Sequence, residues 1–500
     1  MRDSPAELSP EEFRALGHDV VDRIAELLSD LRDRPVAPDT SPARIRSLIG
    51  GEGVPERGED PRAILSGVAD LLFDHSTFNG HPRFFGYITS SASPIGALAD
   101  LLAASVNANV GAWQLSPVAT EIERQTVRWV AELIGFPADC GGIMVSGGNM
   151  ANMVCLMAAL RSKATWDMRQ TGTASGKRLV LYASEEVHTW LHKGADMCGL
   201  GLDSVRAVAV DGTRAMLLDD LRRQIAADRK AGLEPAFVVG TAGSVGVGAI
   251  DPLPEIARLC ADERMWFHVD GAYGAPAAML ADAPPALRGI SLADSVAIDP
   301  HKWLYAPIEA GCALVRDKRA LHDAFAFHPP YYRFEGSDED PPTNFHEWGP
   351  QNTRGFRALK VWATIRRVGR EGYRRMIGDD IALSRAMFEE ASRHPDVEAL
   401  TQSLSIATFR CVPSELFDTR HEPTTAAYLN ELNTQLLDRL QRQGRVFLSN
   451  AVLDGVFALR ACIVNFHTQL ADVEAVPEIA ARIGRAVDEE LRAAVAGGLP

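Results

Sequence analysis

The chain has 500 residues, 46% of them hydrophobic and 23% charged, a globular composition whose length calls for two or three domains. Its 51 Lys and Arg against 66 Asp and Glu give a net charge of −15, a surface that repels phosphate backbones and argues against nucleic-acid binding. Seven scattered cysteines, Cys140, Cys155, Cys198, Cys260, Cys312, Cys411 and Cys462, contain no C-x-x-C pair, so neither a disulfide framework nor a metal site is expected.

Met1–Pro10 lacks the apolar stretch of a signal peptide, and no apolar run reaches the roughly 18 residues of a membrane span. A cytoplasmic protein without membrane partners is the expectation. Ser9-Pro10-Glu11-Glu12 reads as a helix start, and Phe13, Leu16, Val20, Ile24, Leu27, Leu28 and Leu31 carry helical spacing through about residue 33. Residues 35–60, rich in Pro, Gly and charge, read as a linker. A second amphipathic helix follows Pro61. Such an arm, residues 1–90, has no core of its own and must pack on something.

Residues 91–375 are expected to form the large domain. Short apolar runs alternate with helical patterns: Ile143–Val145, Leu179–Tyr182, Val205–Val210, Phe237–Val239, Trp266–Val269, Ser295–Ile298 and Ala313–Val315. That alternation predicts a mostly parallel sheet covered by helices on both faces. Ligands in such sheets sit at the carboxyl ends of the strands. Residues 328–344, with their prolines and the acidic Asp338-Glu339-Asp340, read as a long exposed loop. Residues 376–500 read as a smaller α+β domain with strands near 405–409, 446–448 and 456–461.

Five of the turns after strands carry chemistry. Ser146-Gly147-Gly148-Asn149 opens a helix, where free N–H groups and the dipole suit a phosphate. Glu186-Val187-His188 offers an imidazole. Thr241-Ala242-Gly243-Ser244 offers hydroxyls. His268-Val269-Asp270-Gly271-Ala272-Tyr273 places a carboxylate at a strand end beside a small residue. Asp299-Pro300-His301-Lys302-Trp303 places a lysine among apolar neighbours, where a lowered amine pKa favours attack on an aldehyde. Each alone is an ordinary turn; their order is the signal.

With His81-Pro82-Arg83-Phe84-Phe85, the stretch Trp113–Glu123, and Arg354–Lys360, these strings resemble the group II pyridoxal-phosphate (PLP) decarboxylases of amino acids. The resemblance runs from about His81 to Met376 and implies an α/β fold of type I in the PLP-dependent transferase class, and a homodimer with shared active sites. It implies that Lys302 holds PLP as a Schiff base and that Asp270 pairs with the pyridine nitrogen. It implies that His188 stacks on the ring, with Ala272 leaving room for it. Gly148, Asn149 and His301 would bind the phosphate, and Ser244 and Thr241 the cofactor edge. It implies a proton-donating tyrosine in the loop after the lysine, which ungapped counting puts at Tyr331, with Tyr332 as the alternative. Tyr rather than Phe there resembles the decarboxylases, not the oxygen-consuming aldehyde synthases.

The substrate side is expected from Tyr87, Asn109, Gly111, Trp113 and Thr353. Asn109 and Gly111 stand where aromatic or branched residues line related sites, and Thr353 resembles the phenol-using group. Asp299 stands where Asn is common and needs a partner. Trp190 is bulkier than the pattern. An aromatic L-amino acid ranks first as substrate, with glutamate and aliphatic amino acids open.

Overall fold

The computed structural model describes residues 4–328 and 342–496. The first helix, Pro10–Asp30, begins with a reciprocal cap: Ser9 Oγ accepts from Glu12 N, and the Glu12 carboxylate accepts Ser9 N at 2.9 Å. The stretch 35–60 is not wholly a linker. Pro42–Ile49 is helical, because Ser41 caps it and Pro42 sits in the first turn, where its missing N–H costs nothing. Helix Pro61–His75 follows as expected, and helices Pro94–Val106 and Pro117–Ile134 lead into the sheet.

The large sheet contains β1 (Gly141–Val145), β2 (Leu179–Ser184), β3 (Val205–Val208), β4 (Glu234–Thr241), β5 (Trp266–Asp270), β6 (Ser295–Ile298) and β7 (Gly311–Val315). Their order is β1-β7-β6-β5-β4-β2-β3. Neighbours pair parallel except at β7, which runs against both β1 and β6. The continuous apolar runs follow from burial on both faces. Val180, Tyr182 and Val238 pack on one face with helices Pro117–Ile134 and Leu253–Glu263. Leu179, Leu181, Phe237 and Val239 pack on the other with helix Gly148–Lys163.

A second sheet contains β8 (Val397–Ser403), β9 (Ile406–Cys411), β10 (Ser449–Leu453) and β11 (Val456–Cys462). It is antiparallel, in the order β10-β11-β9-β8. Residues 446–448, expected as a strand, supply instead an isolated bridge between Phe447 and Phe84. Phe85 donates to Phe447 O at 2.8 Å and accepts from Cys462 N at 2.9 Å. The His81–Phe85 string thus docks the N-terminal arm onto the smaller core, where Phe85 is fully buried among Phe409, Leu436 and Leu459. Helix Ala358–Arg393 runs across the boundary expected at 375, and its backbone leaves helical geometry at Gly369.

The Arg354 string is also structural. Arg354 and Glu123 are 1% and 0% exposed and meet at 2.5 Å. Arg354 donates further to Val110 O and Met144 O, and Glu123 accepts from Met144 N. Such a buried pair holds only because its hydrogen bonds offset desolvation; it ties the loop at 110 and the segment at 354 to β1. Among the described residues, no helix is long and apolar enough to cross a membrane.

Candidate active site

Strands β1, β2, β4, β5 and β6 run the same way, so their carboxyl ends open on one side. There the turns converge on a cavity of about 400 Å³, lined among others by Gly148, Asn149, His188, Thr241, Asp270, Ala272, His301 and Lys302. Eight residues separated by up to 154 positions in the chain become one site because they lie at or just after the ends of five strands that run the same way.

Lys302 Nζ lies 3.0 Å from Asp299 Oδ2. Asp299 is 2% exposed, and its Oδ1 is buried without a hydrogen-bond partner. The partner that Asp299 requires is therefore the lysine. Below Lys302, Trp303 is fully buried, stacks on Tyr273 at 4.8 Å between ring centres, and donates Nε1–H to Asp380 Oδ2 at 2.8 Å. Tyr305 donates to the same oxygen. Burial pushes the Asp380 carboxyl up to about 7. These contacts hold the lysine-bearing turn against helix Ala358–Arg393.

Asp270 ends β5. Its Oδ1 accepts from Ala272 N at 3.2 Å and its Oδ2 from Trp190 Nε1 at 2.7 Å. That is the physical reason for the bulk of Trp190: buried against His268 in an edge-on contact, it orients the carboxylate. Two of the roughly four acceptor positions of a carboxylate are thus used, leaving capacity for a further donor. His268 bonds Asn152 and Ser295, and burial pushes it down to about 4, so this support is neutral. His188 lines the cavity, and burial foremost lowers its pKa below the ordinary histidine value. A neutral ring suits face-on contact with an aromatic group.

At β1, Gly147 has φ +91° and Gly148 opens the helix. A Cβ on Gly148 would lie 2.5 Å from Asp299 Oδ2, so glycine is required by close approach. At β4, Asp251 accepts from Thr241 N and Met216 N, each at 2.8 Å, and burial lifts it to about 6. Ser244 is placed differently from its expected role. Its Oγ accepts from Ala249 N at 3.1 Å within a buried turn, and Gly243 and Val245 line the cavity instead.

The five residues expected on the substrate side do not line this cavity in the single chain. Tyr87 is 63% exposed. Asn109 Oδ1 accepts from Gly111 N and Arg354 N, which closes a loop. A Cβ on Gly111 would lie 2.2 Å from Asn352 O, so Gly111 serves a close approach rather than added room. Trp113 donates to Glu121 at 3.0 Å and faces a separate opening. Thr353 is exposed. Tyr331 and Tyr332 lie outside the described residues. Asn152, Glu186 and Glu309 line the cavity without having been expected there. Asn152 was findable, because it sits one helical turn after Gly148 and bonds its carbonyl at 2.9 Å.

The set fits pyridoxal phosphate. It offers a lysine for the aldehyde, a carboxylate with spare acceptor capacity for the ring nitrogen, an imidazole and a small residue for the ring faces, and a glycine turn at a helix N-terminus for the phosphate. Fold and site together define a pyridoxal-phosphate enzyme of fold type I. The pyridoxal-dependent decarboxylase conserved domain matches residues 42–410, and the chain belongs to that family; it is a PLP-dependent amino-acid decarboxylase. It is 33% identical over 463 residues to the aromatic-L-amino-acid decarboxylase of Bacillus atrophaeus, covering 92% of this chain and 93% of that one. It is 28% identical to the phenylacetaldehyde synthase of a Rosa hybrid cultivar, covering 91% and 90%. The crystal structure of mouse CSAD superposes with a TM-score of 0.89 at 26% identity, covering 95% and 99%.

Proposed function

We propose that this enzyme converts an aromatic L-amino acid to its amine and carbon dioxide, as the name of the Bacillus relative says of that protein. The observation that carries the reading is the meeting of Lys302 and Asp270 in one cavity with a glycine-opened helix and His188. When bound, pyridoxal phosphate supplies an electron sink for the pair released by breaking the Cα–carboxylate bond. Lys302 holds the cofactor and Asp270 keeps a proton at its ring nitrogen. His188 would pack against the cofactor ring, and the small Ala272 would leave space for it. Gly148, Asn149 and His301 receive the phosphate, and Thr241 borders the ring edge. Tyr331 gives a proton to the substrate Cα.

Charge favours an aromatic over an acidic substrate. No arginine is among the described residues lining the cavity. Arg214 pairs with the lining Glu186 at 2.6 Å, and Arg357 pairs through Nε with the lining Glu309 at 2.7 Å. Lys302 is held by Asp299. Among the described residues lining the cavity, a second carboxylate on the substrate would meet no arginine, and the one lysine is held by Asp299.

The second reading is aldehyde formation, which the Rosa relative favours by its name. A panel of the twenty amino acids, with products identified by mass spectrometry, separates the two. Amine and carbon dioxide in equal amounts without peroxide support decarboxylation; aldehyde with peroxide supports the other. Tyr331→Phe is expected to slow amine formation by roughly 10²- to 10⁴-fold, the usual contribution of a positioned proton donor. Unchanged turnover, with the loss appearing in Tyr332→Phe instead, moves the role to Tyr332.

We also infer a cytoplasmic homodimer with shared sites. The seven free cysteines suit a reducing compartment. Helix Pro94–Val106 leaves Leu98, Leu101, Leu102 and Val106 exposed along one helical face; an exposed apolar face of this kind marks an interface. Light scattering on the eluting protein is expected to give twice the chain mass of 54.2 kDa; the monomer mass at micromolar concentration would contradict the pairing.

A further inference from the structure

An opening of about 1090 Å³ is separate from the cavity that holds Lys302. His322 and Glu347 line it, and with His328 they bring three side chains of metal-ligand type together. His322 lies in helix Arg319–Phe325, His328 follows that helix, and Glu347 ends the short turn Phe345–Glu347. One donor atom from each lies within 4.8 Å of the other two. His328 Nε2 stands 2.8 Å from Glu347 Oε1, and the two imidazole rings are 5.8 Å apart between centres. His328 pairs with Glu347, and among the described residues His322 Nδ1 has only a distant ion-pair contact, 4.0 Å to Asp323 Oδ1.

We propose that His322, His328 and Glu347 bind one divalent transition metal of the zinc class. Two imidazoles and a carboxylate are a borderline donor set that suits Zn²⁺ and disfavours Mg²⁺ and Ca²⁺, which take oxygen ligands. Bonds of about 2.0–2.2 Å to a tetrahedral ion place ligand atoms roughly 3.3–3.5 Å apart. The observed separations, from 2.8 Å to no more than 4.8 Å, bracket that value, so side-chain rotation closes the set.

The backbones that carry the ligands are already held by other contacts. Arg169 donates to Asp323 O at 2.9 Å and Ala326 O at 2.7 Å, and its guanidinium lies 4.3 Å from the Phe327 ring centre. On the other side, His346 N donates to Gly111 O at 2.9 Å, and Asn344 Oδ1 accepts from Trp113 N at 3.2 Å. Little ordering is then left for the metal to impose, which favours binding. His322 and Glu347 also line the opening, so a fourth coordination position faces solvent. Because the ligands lie on both sides of residues 329–341 in the sequence, the ion cross-links the segments that carry them, and such cross-links stabilise the fold.

The test uses tag-free holoenzyme treated with a chelator and then titrated calorimetrically with Zn²⁺. One equivalent per chain is expected, together with a raised thermal midpoint. His322→Ala or Glu347→Gln is expected to weaken binding by roughly tenfold or more. Mg²⁺ in the same titration is expected to give no heat of binding. Co²⁺ as a spectroscopic probe separates this site from Cys140, which lines the same opening. A nitrogen-and-oxygen spectrum supports the assignment, whereas a thiolate charge-transfer band overturns it. Unchanged Zn²⁺ affinity in the His322→Ala/Glu347→Gln double variant overturns it as well.

Discussion

Lys302→Ala is expected to yield a folded protein that loses, on dialysis, the visible absorbance of a lysine-bound cofactor, and with it amine formation. The fold survives because Lys302 is not part of the packing that holds its turn. That packing is Trp303 on Tyr273 and the Trp303 and Tyr305 bonds to Asp380. Removing the amine deletes the nucleophile the aldehyde requires. It also deletes the counter-charge of Asp299, which is 2% exposed. A buried carboxylate left without its partner destabilises by about 3–5 kcal/mol, so a lower thermal midpoint is expected alongside the spectral loss. If the dialysed variant keeps both the visible band and turnover, Lys302 is not the cofactor lysine. A Lys302→Ala/Asp299→Asn double variant separates the two effects: it is expected to recover stability but not absorbance.

The second large effect is expected at Asp270. Asp270→Asn keeps the shape of the side chain and an oxygen to accept from Trp190 Nε1 or Ala272 N, but removes the negative charge that opposes a protonated ring nitrogen. Loss of one member of a buried charge pair at about 3–5 kcal/mol converts to roughly 10²- to 10⁴-fold in turnover. Cofactor should remain attached through Lys302, so the visible band persists while amine formation falls. Simultaneous loss of the band would mean that Asp270 mainly retains the cofactor rather than sustaining its charge. Unchanged turnover would remove Asp270 from the chemistry altogether.

Much of the large domain was legible in the sequence because its strands are buried on both faces. Runs such as Leu179–Tyr182 and Phe237–Val239 then read as continuous apolar segments between turns. The C-terminal sheet was harder to read. β8 has a half-exposed pattern and went unread, and Phe447 pairs with Phe84 across more than 360 residues instead of starting a strand. The Pro42–Ile49 helix was hidden by a composition that resembles a linker, although Ser41-Pro42 is a sound helix start. On the catalytic side, the expected residues that line the cavity lie at or just after strand ends, so their position in the chain predicts their position in space. The substrate-side residues lie in loops between helices, and sequence position carries no such rule for them. Asn109 and Gly111 proved to shape a loop around Arg354.

The sequence by itself determined the class of chemistry, because the order of glycine turn, histidine, hydroxyl turn, aspartate and lysine is a local property of the segments at the ends of β1, β2, β4, β5 and β6. Tertiary structure alone decided what supports those groups. Trp190 reaches Asp270 across 80 residues, Asp380 reaches Trp303 across 77, and Asp299 takes the lysine as its own counter-ion. It alone also decided that His322, His328 and Glu347 meet. Hydrogen bonds and ligand sets depend on distances of a few ångströms between segments far apart in the chain, and those distances exist only once the sheet and its covering helices have packed.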